Sequence, residues 1–172
     1  SKRKWYALSR FLKWQLAQFS FRAPALVGFT EKSVLLVSKG MTGATGNIYT
    51  GLLEFEDMAF LLHLLRPEDI MMDVGANVGV YSVLGAVEAG CRVISIEPLP
   101  TTFKHLQRNI FLNGVESRIE AINAGVGAER SELFFTTFLD TENHVLSNQQ
   151  AKESTNAIKV EVIPADELAQ GR

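Results

Sequence analysis

The stretch MMDVGANVGVYS, residues 71–82, decides how this chain folds, because an apolar run there ends in Asp73 and two glycines follow it. The apolar residues predict a short buried strand over residues 70–74. Gly75 allows the backbone to turn sharply after the strand, and Gly79 allows the next element to begin close to it. In an open parallel sheet, ligands bind beyond the carboxyl ends of the strands. The loop from Asp73 to Gly79 is therefore the first candidate for a binding site.

The sequence after this loop alternates between helical and strand patterns. The predicted elements are a helix over 80–89 that ends at Gly90, a strand over 92–97, a helix that ends at Asn113 and a strand over 119–122. We expect Thr101 or Thr102 to cap the second helix and Gly114 to follow its last turn. This alternation predicts an α/β fold with a parallel sheet and right-handed crossovers.

The flanking segments follow different patterns. Upstream, two short strands are expected at Ala25–Val27 and Ser33–Val37, and an apolar helix over 53–65 that ends before Pro67. Downstream, residues 132–162 are predicted to form an antiparallel excursion, because apolar and charged residues alternate near its end. We expect two parts: residues 1–52 form an N-terminal extension with a helix and a β-hairpin, and residues 53–172 form the sheet domain.

Composition limits the classes of function. Hydrophobic residues make up 47% of the 172 residues, which is typical of a folded globular domain. The single cysteine, Cys91, cannot form an intrachain disulfide and favours a reducing, cytoplasmic location. The three histidines lie far apart without a zinc-binding spacing, so we expect no metal site. No apolar run approaches about 20 residues, and no membrane-spanning helix is predicted.

The net charge of −2 conceals a basic N-terminal segment. Residues 1–30 contain six Lys and Arg residues and no acid, which leaves eleven basic against nineteen acidic residues in the rest. Apolar residues recur in this segment at close to helical spacing. We favour a helix that docks on the core, and the alternative is peripheral contact of residues 1–22 with an anionic membrane or a protein.

Glu97 indicates which kind of ligand the glycine loop would bind. It ends the second strand, 18 residues beyond Gly79, and an acid about 20 residues after such a loop binds the hydroxyls of a ribose. Asp73 stands where a dinucleotide would place its pyrophosphate, and its charge would repel that group. S-adenosylmethionine carries an ammonium and a sulfonium instead, so this arrangement favours it over NAD.

Three stretches of the chain resemble the FkbM family of S-adenosylmethionine-dependent methyltransferases: DVGANVGVYSVLGA (73–86), VISIEPLPTTFKHLQRNIFLNG (93–114) and INAGVG (122–127). The resemblance covers roughly residues 40–168. It implies a Rossmann-like methyltransferase fold and O-methylation of a sugar or another small hydroxylated acceptor. By position it implies these cofactor-binding residues: Asp73, Gly75, Ala76, Asn77, Gly79, Glu97, Pro98, Asn123 and Ala124.

The chain departs from this family at its end. The family's K-[IV]-D-V-E-G strand should follow the segment PADEL, but the sequence stops at Arg172. We therefore expect a sheet that is incomplete at the C-terminus, with the strand over 70–74 as an open edge available for homo-oligomer contacts. No catalytic base can be named: His144 is the one histidine in a polar loop, where most histidines are merely solvated. Glu54 or Glu56 could approach the cofactor.

Three other functions compete with this prediction. A truncated, non-catalytic module could bind a nucleoside cofactor or a partner. A nicotinamide oxidoreductase would suit a Rossmann-type sheet, although Asp73 and the missing third glycine argue against it. A nucleic-acid methyltransferase is suggested only by the basic segment, so no nucleic-acid partner is expected.

Overall fold

The computed structural model describes residues 24–38, 41, 52, 54–136, 145–146 and 157–170. The elements in chain order are β1 Ala25–Gly28, β2 Val34–Val37, α1 Phe55–Leu64, β3 Ile70–Val74, α2 Val80–Leu84, β4 Arg92–Ile96, α3 Pro100–Leu112, β5 Ile119–Ile122, β6 Gly125–Gly127, β7 Ser131–Thr136, β8 Val145–Leu146, β9 Ala157–Pro164 and α4 Ala165–Ala169. The helix predicted within residues 1–22 and the loop residue His144 lie outside the described residues.

The centre of the fold is a parallel sheet with the strand order β3-β4-β5. Asp73 on β3 stands beside Ser95 on β4, and Ile94 stands beside Glu120 on β5. The three strands and the helices between them confirm the predicted α/β order. All three strands end on the same side of the sheet, so the glycine loop, Glu97 and Asn123 follow neighbouring strand ends.

Apolar side chains cover both faces of this sheet. On one face, Val93 packs in a cluster with Leu106 and Ile110 of α3. On the other face, Ile94 and Ile96 pack in a cluster with Leu168 of α4. Burial of strands on both faces is typical of parallel sheets and explains why β4, after the exposed Arg92 at its start, is apolar apart from Ser95. The site therefore stands at the edge of a three-layer core.

The helices differ in detail from the sequence predictions. The predicted helix over 80–89 consists of α2 and a π-helical turn, Gly85–Ala89, and Gly90 follows with a φ of 75°. The prediction of a threonine cap on the next helix is wrong. That helix, α3, begins at Pro100, and the residue before it, Leu99, makes no side-chain cap hydrogen bond. Proline suits the first turn because it has no N–H to leave unpaired.

The predicted hairpin is confirmed as the antiparallel pair β1–β2. Leu35 and Val37 are buried in one cluster with Val83 and Leu84, so the hairpin shares a core with α2. Asn109 on α3 accepts the N–H of Leu36 (2.7 Å) and donates to the carbonyl of Val78 (2.8 Å). The hairpin is thus fastened to the sheet domain, and the boundary between residues 52 and 53 stays a prediction.

The C-terminal segments form a second sheet with the order β6-β9-β7-β8. The antiparallel pairing of β7 with β8 and β9 confirms the predicted excursion over 132–162. The sequence does not predict β6, a three-residue strand that pairs in parallel with β9. Val162 and the glycines of β6 lie in close contact, since a Cβ on Gly127 would stand 2.7 Å from Val162.

Among the described strands, β3 pairs with β4 alone. Ile70 and Val74 on this strand are 40% and 56% exposed. An apolar strand edge of this kind pairs readily with another strand. Within the described ranges, none of the helices combines the length and the apolar character needed to cross a bilayer.

Candidate functional site

The loop after β3 is held against the end of β4 by its backbone. The N–H groups of Gly75 and Ala76 both donate to the carbonyl of Ile96, at 2.8 and 2.9 Å. Three loop residues have left-handed backbone conformations: Gly75 with φ 76°, Asn77 with φ 50° and Gly79 with φ 90°. Glycine adopts this region without strain, and asparagine tolerates it better than most residues. The loop therefore takes a shape that few other sequences would reach.

The two loop glycines have different roles. A Cβ built on Gly79 would stand 2.6 Å from Cδ1 of Leu106, a side chain that is fully buried in α3. Gly79 is therefore required for close packing of the loop on α3. A Cβ built on Gly75 would meet no atom within 4 Å. Open space at Gly75, at the carboxyl end of β3, lets a ligand approach the backbone closely.

Glu97 joins the loop to the segment after β4. One carboxylate oxygen, Oε2, accepts the N–H of Asn77 at 2.9 Å, and the other, Oε1, accepts the N–H of Leu99 at 2.9 Å. The side chain is 5% exposed. Each carboxylate oxygen has two lone pairs, so each retains one acceptor position after these bonds. The carboxylate is thus fixed in place with capacity left for two ligand hydroxyls.

Burial raises the pKa of the Glu97 carboxyl above its usual value, and the nearby charge of Asp73 adds to the rise. The hydrogen bonds from Leu99 and Asn77 act in the opposite direction. A carboxyl that is buried at a strand end beside a second acid is costly for folding alone. Such a pair is typical of a site that binds hydroxyls or cations.

Asp73 lies at the end of β3 and is bound by a buried serine. Its Oδ2 accepts the hydroxyl of Ser82 on α2 at 2.5 Å, and Ser82 Oγ lies 2.7 Å from Ser95 Oγ on β4. Burial raises the pKa of the Asp73 carboxyl, and the bonds with Ser82 lower it in part. Neither serine was predicted to take part in the site. A serine inside the apolar strand VISIE was the signal available.

Asn123 follows β5 and binds the backbone after β4. Its Nδ2 donates to the carbonyl oxygens of Glu97 (2.8 Å) and Pro98 (3.0 Å). Ala124 beside it is 1% exposed and packs with Ile94 and Ile96. The structure therefore brings Asn123 to the segment that carries Glu97. Its assignment to cofactor binding, which the resemblance implies, stays a prediction.

Hydrogen bonds connect the segments that carry the predicted residues. The loop binds Glu97, Asp73 reaches β4 through Ser82, and Asn123 binds the backbone of Glu97. Glu54, at the start of α1, accepts the hydroxyl of Tyr81 at 2.5 Å, which ties α1 to α2. Glu56 is exposed on the same helix. Among the residues that the structure describes, no three His, Cys, Asp or Glu side chains are grouped as a metal site would require.

Comparison with known proteins gives a family match. The Methyltransferase FkbM domain matches residues 73–172, which is more than half of the chain. The chain is 33% identical over 85 residues to the 31-O-demethyl-FK506 methyltransferase FkbM of Streptomyces tacrolimicus, covering 46% of this chain and 33% of that protein. It is 43% identical over 58 residues to the tRNA(Phe) (4-demethylwyosine(37)-C(7)) aminocarboxypropyltransferase of Pyrococcus horikoshii, covering 34% of this chain and 21% of that protein.

The chain thus spans a third or less of the length of these two relatives. Among solved structures, Pyrococcus horikoshii TYW2 in complex with MeSAdo is 23% identical, with a TM-score of 0.45 over 61% of this chain and 37% of that chain. A Pyrococcus horikoshii transferase structure is 30% identical, with a TM-score of 0.39 over 53% of this chain and 30% of that chain.

Proposed function

This chain belongs to the FkbM methyltransferase family, and on that premise we propose that it is an S-adenosylmethionine-dependent methyltransferase acting on a sugar or another small hydroxylated acceptor. The observation that carries the proposal is the bond between Glu97 and the backbone of Asn77. This bond joins the acid at the end of β4 to the glycine loop at the end of β3. A nucleoside cofactor needs both segments at one place.

The described residues fit this cofactor chemically. The free lone pairs of Glu97 can accept the two hydroxyl protons of the ribose. Asp73 presents a carboxylate to the ammonium of the methionine moiety, and open space at Gly75 leaves room for it. Pro98, Asn123 and Ala124 follow the neighbouring strand ends and are proposed to border the adenine. A pyrophosphate in the place of the ammonium would meet the charge of Asp73.

When bound, the cofactor supplies a methyl group that is activated by its attachment to a sulfonium. The task of the protein residues is mainly to hold two reactants in line, because displacement at a methyl carbon depends on positioning. Glu97 fixes the nucleoside, and Asp73 orients the cationic end. An acceptor hydroxyl must lose its proton during the transfer. The described residues do not identify the base that receives it.

The hydroxyl acceptor is supported by a relative. The Streptomyces tacrolimicus protein is named as a 31-O-demethyl-FK506 methyltransferase, so its named reaction places a methyl group on oxygen. The sugar-like class follows from the family resemblance. We also propose a cytoplasmic location, because a single free cysteine, Cys91, is more typical of a reducing compartment than of an oxidising one.

A second transfer from the same cofactor is favoured by a specific observation. The Pyrococcus horikoshii relative at 43% identity is named as an aminocarboxypropyltransferase. Transfer of that group leaves 5′-methylthioadenosine, whereas methyl transfer leaves S-adenosylhomocysteine. The identity of the nucleoside product therefore separates the two reactions.

The test is product analysis by mass spectrometry after incubation with S-adenosylmethionine and a panel of monosaccharides and small hydroxylated acceptors. The proposal expects S-adenosylhomocysteine together with an acceptor heavier by one methylene unit. Release of 5′-methylthioadenosine instead would assign aminocarboxypropyl transfer. The Asp73→Ala variant is the control, because it removes the carboxylate that is proposed to orient the cofactor. An unchanged rate in this variant would contradict the role given to Asp73.

A further inference from the structure

Three polar side chains from three different elements meet beneath the glycine loop. Asp73 ends β3, Ser95 stands beside it on β4, and Ser82 comes from α2. Ser82 and Ser95 are both 0% exposed, although the residues around them form an apolar core. A buried hydroxyl without a partner costs free energy, so two serines at such a place call for an explanation.

The hydrogen bonds in this group have one consistent direction. The ionised Asp73 carboxylate can only accept, so the hydroxyl proton of Ser82 points toward Oδ2. Ser82 Oγ then has lone pairs but no further proton to give. The hydroxyl of Ser95, 2.7 Å away, must therefore donate to Ser82. The hydrogen bonds thus run from the Ser95 hydroxyl to Ser82 and from the Ser82 hydroxyl to Asp73, where they end on one carboxylate oxygen.

Resting on the proposed function, we propose that Ser82 and Ser95 are positioning residues that hold Asp73 ionised and oriented toward the ammonium of the cofactor. The bonds from Ser82, which include its backbone N–H, leave further lone pairs on the Asp73 carboxylate for the ligand. Charged hydrogen bonds shorten and strengthen when the donor is itself polarised by another donor. Ser95 therefore acts on Asp73 only through Ser82.

Other charged or titratable groups also act on this carboxylate. Glu97 lies in the segment after β4, where burial is the main cause that raises the pKa of its carboxyl and the charge of Asp73 adds to the rise. The hydroxyl of Tyr81 on α2 lies within electrostatic reach of Asp73 and is bound to Glu54. Burial raises the pKa of the Asp73 carboxyl and so favours its protonated form. The bond from the Ser82 hydroxyl opposes this effect, so its removal should raise the pKa of the Asp73 carboxyl further.

The experiment is calorimetric titration of the full chain and its variants with two probes. S-adenosylhomocysteine carries the ammonium, and 5′-methylthioadenosine carries the same nucleoside without it. The variants are Ser82→Ala, Ser95→Ala and Ser82→Cys, which retains a weaker donor. Ser117→Ala is the matched control, because Ser117 is an exposed serine ahead of β5, at the opposite end of the sheet. Each titration is repeated at several pH values.

Ser82→Ala is expected to weaken S-adenosylhomocysteine binding by about tenfold or more and to leave 5′-methylthioadenosine binding nearly unchanged. Ser95→Ala should have a smaller effect, and Ser82→Cys should lie between wild type and Ser82→Ala. In wild type, affinity for S-adenosylhomocysteine falls as acid protonates Asp73. In Ser82→Ala this fall should begin at a higher pH. The 5′-methylthioadenosine profile follows Glu97, for whose pKa the charge of Asp73 is the smallest of the causes, and should move much less.

An equal loss of both probes in Ser82→Ala would overturn the proposal, since it would indicate a merely structural role. Equal binding of S-adenosylhomocysteine in wild type and in Ser82→Ala would overturn it as well. If wild type binds neither probe, the proposed function itself fails. Thermal unfolding of each variant separates loss of the fold from loss of the charge contact, and the Ser82→Cys variant tests the donor where Ser82→Ala does not fold.

Discussion

The substitution Gly79→Ala should destabilise the fold strongly, for two reasons that the structure separates. Gly79 has a φ of 90°, and a left-handed conformation costs an L-residue roughly 1–2 kcal/mol. The new Cβ would also stand 2.6 Å from Cδ1 of Leu106, which is 0% exposed and has little room to move. Overpacking of a core costs about 1–3 kcal/mol. The total is about 3 kcal/mol, or a fall in Tm of about 10 °C.

Two other glycines provide matched controls for this prediction. Gly75→Ala places the Cβ in open space at a φ of 76°, so only the backbone cost of about 1–2 kcal/mol should appear. Gly28→Ala meets no atom within 4 Å and has no positive φ, so stability should hardly change. Urea denaturation of the three variants measures the series. Equal stabilities for Gly79→Ala and Gly75→Ala would refute the contact with Leu106.

Three further predictions concern side chains. Asn109→Ala should destabilise the chain by about 2–4 kcal/mol in urea denaturation, because it leaves the backbone groups of Leu36 and Val78 without their buried partners; a loss below about 1 kcal/mol would contradict this. Asp73→Asn should stabilise the free protein, because burial raises the pKa of this carboxyl. In the wild type, ionisation of Asp73 therefore costs stability as the pH rises above the carboxyl's usual range. The difference in Tm between Asp73→Asn and wild type should grow as the pH rises through that range. Tyr81→Phe should cost about 1 kcal/mol by loss of the bond to Glu54, whereas an unchanged Tm would show that this bond contributes nothing.

The parallel sheet could be predicted from the sequence because its signals are local. Asp73, Gly75 and Gly79 mark the end of one strand and the start of the next helix within a few residues. Gly90 and Gly114 end the two helices, with φ values of 75° and 63°. An apolar run between such markers has few alternatives to a buried strand. The order of strands and helices then determines the sheet.

Contacts between distant residues could not be predicted in this way. The strand β6 has only three residues, and its pairing with β9 depends on Val162, 35 residues beyond Gly127. The bond from the N–H of Leu36 in the hairpin to Asn109 joins positions 73 residues apart. No periodicity in the sequence indicates which asparagine faces a strand edge. The π-helical turn at Gly85–Ala89 likewise gave no local signal.

In the candidate site, too, local signals could be predicted from the sequence and contacts between distant residues could not. The resemblance and the spacing identified Asp73 and Glu97, because both acids directly follow apolar strands. The partners that hold them were not identified: Ser82 binds Asp73 and is itself bound to Ser95 through tertiary packing, and the N–H of Leu99 binds Glu97 through the shape of a turn. Sequence patterns find the groups that carry charge, whereas the groups that orient them depend on the folded geometry.

The most direct test of the central claim is calorimetric titration of the chain with S-adenosylhomocysteine, with NADH as the competing ligand. We predict micromolar binding of S-adenosylhomocysteine alone, weakened by about tenfold or more in Glu97→Ala, which loses the acceptor of the ribose hydroxyls. Glu116→Ala, an exposed glutamate ahead of β5, should bind like wild type. Binding of NADH in preference to S-adenosylhomocysteine, or unchanged affinity in Glu97→Ala, would contradict the claim that the glycine loop and Glu97 form one site for this cofactor.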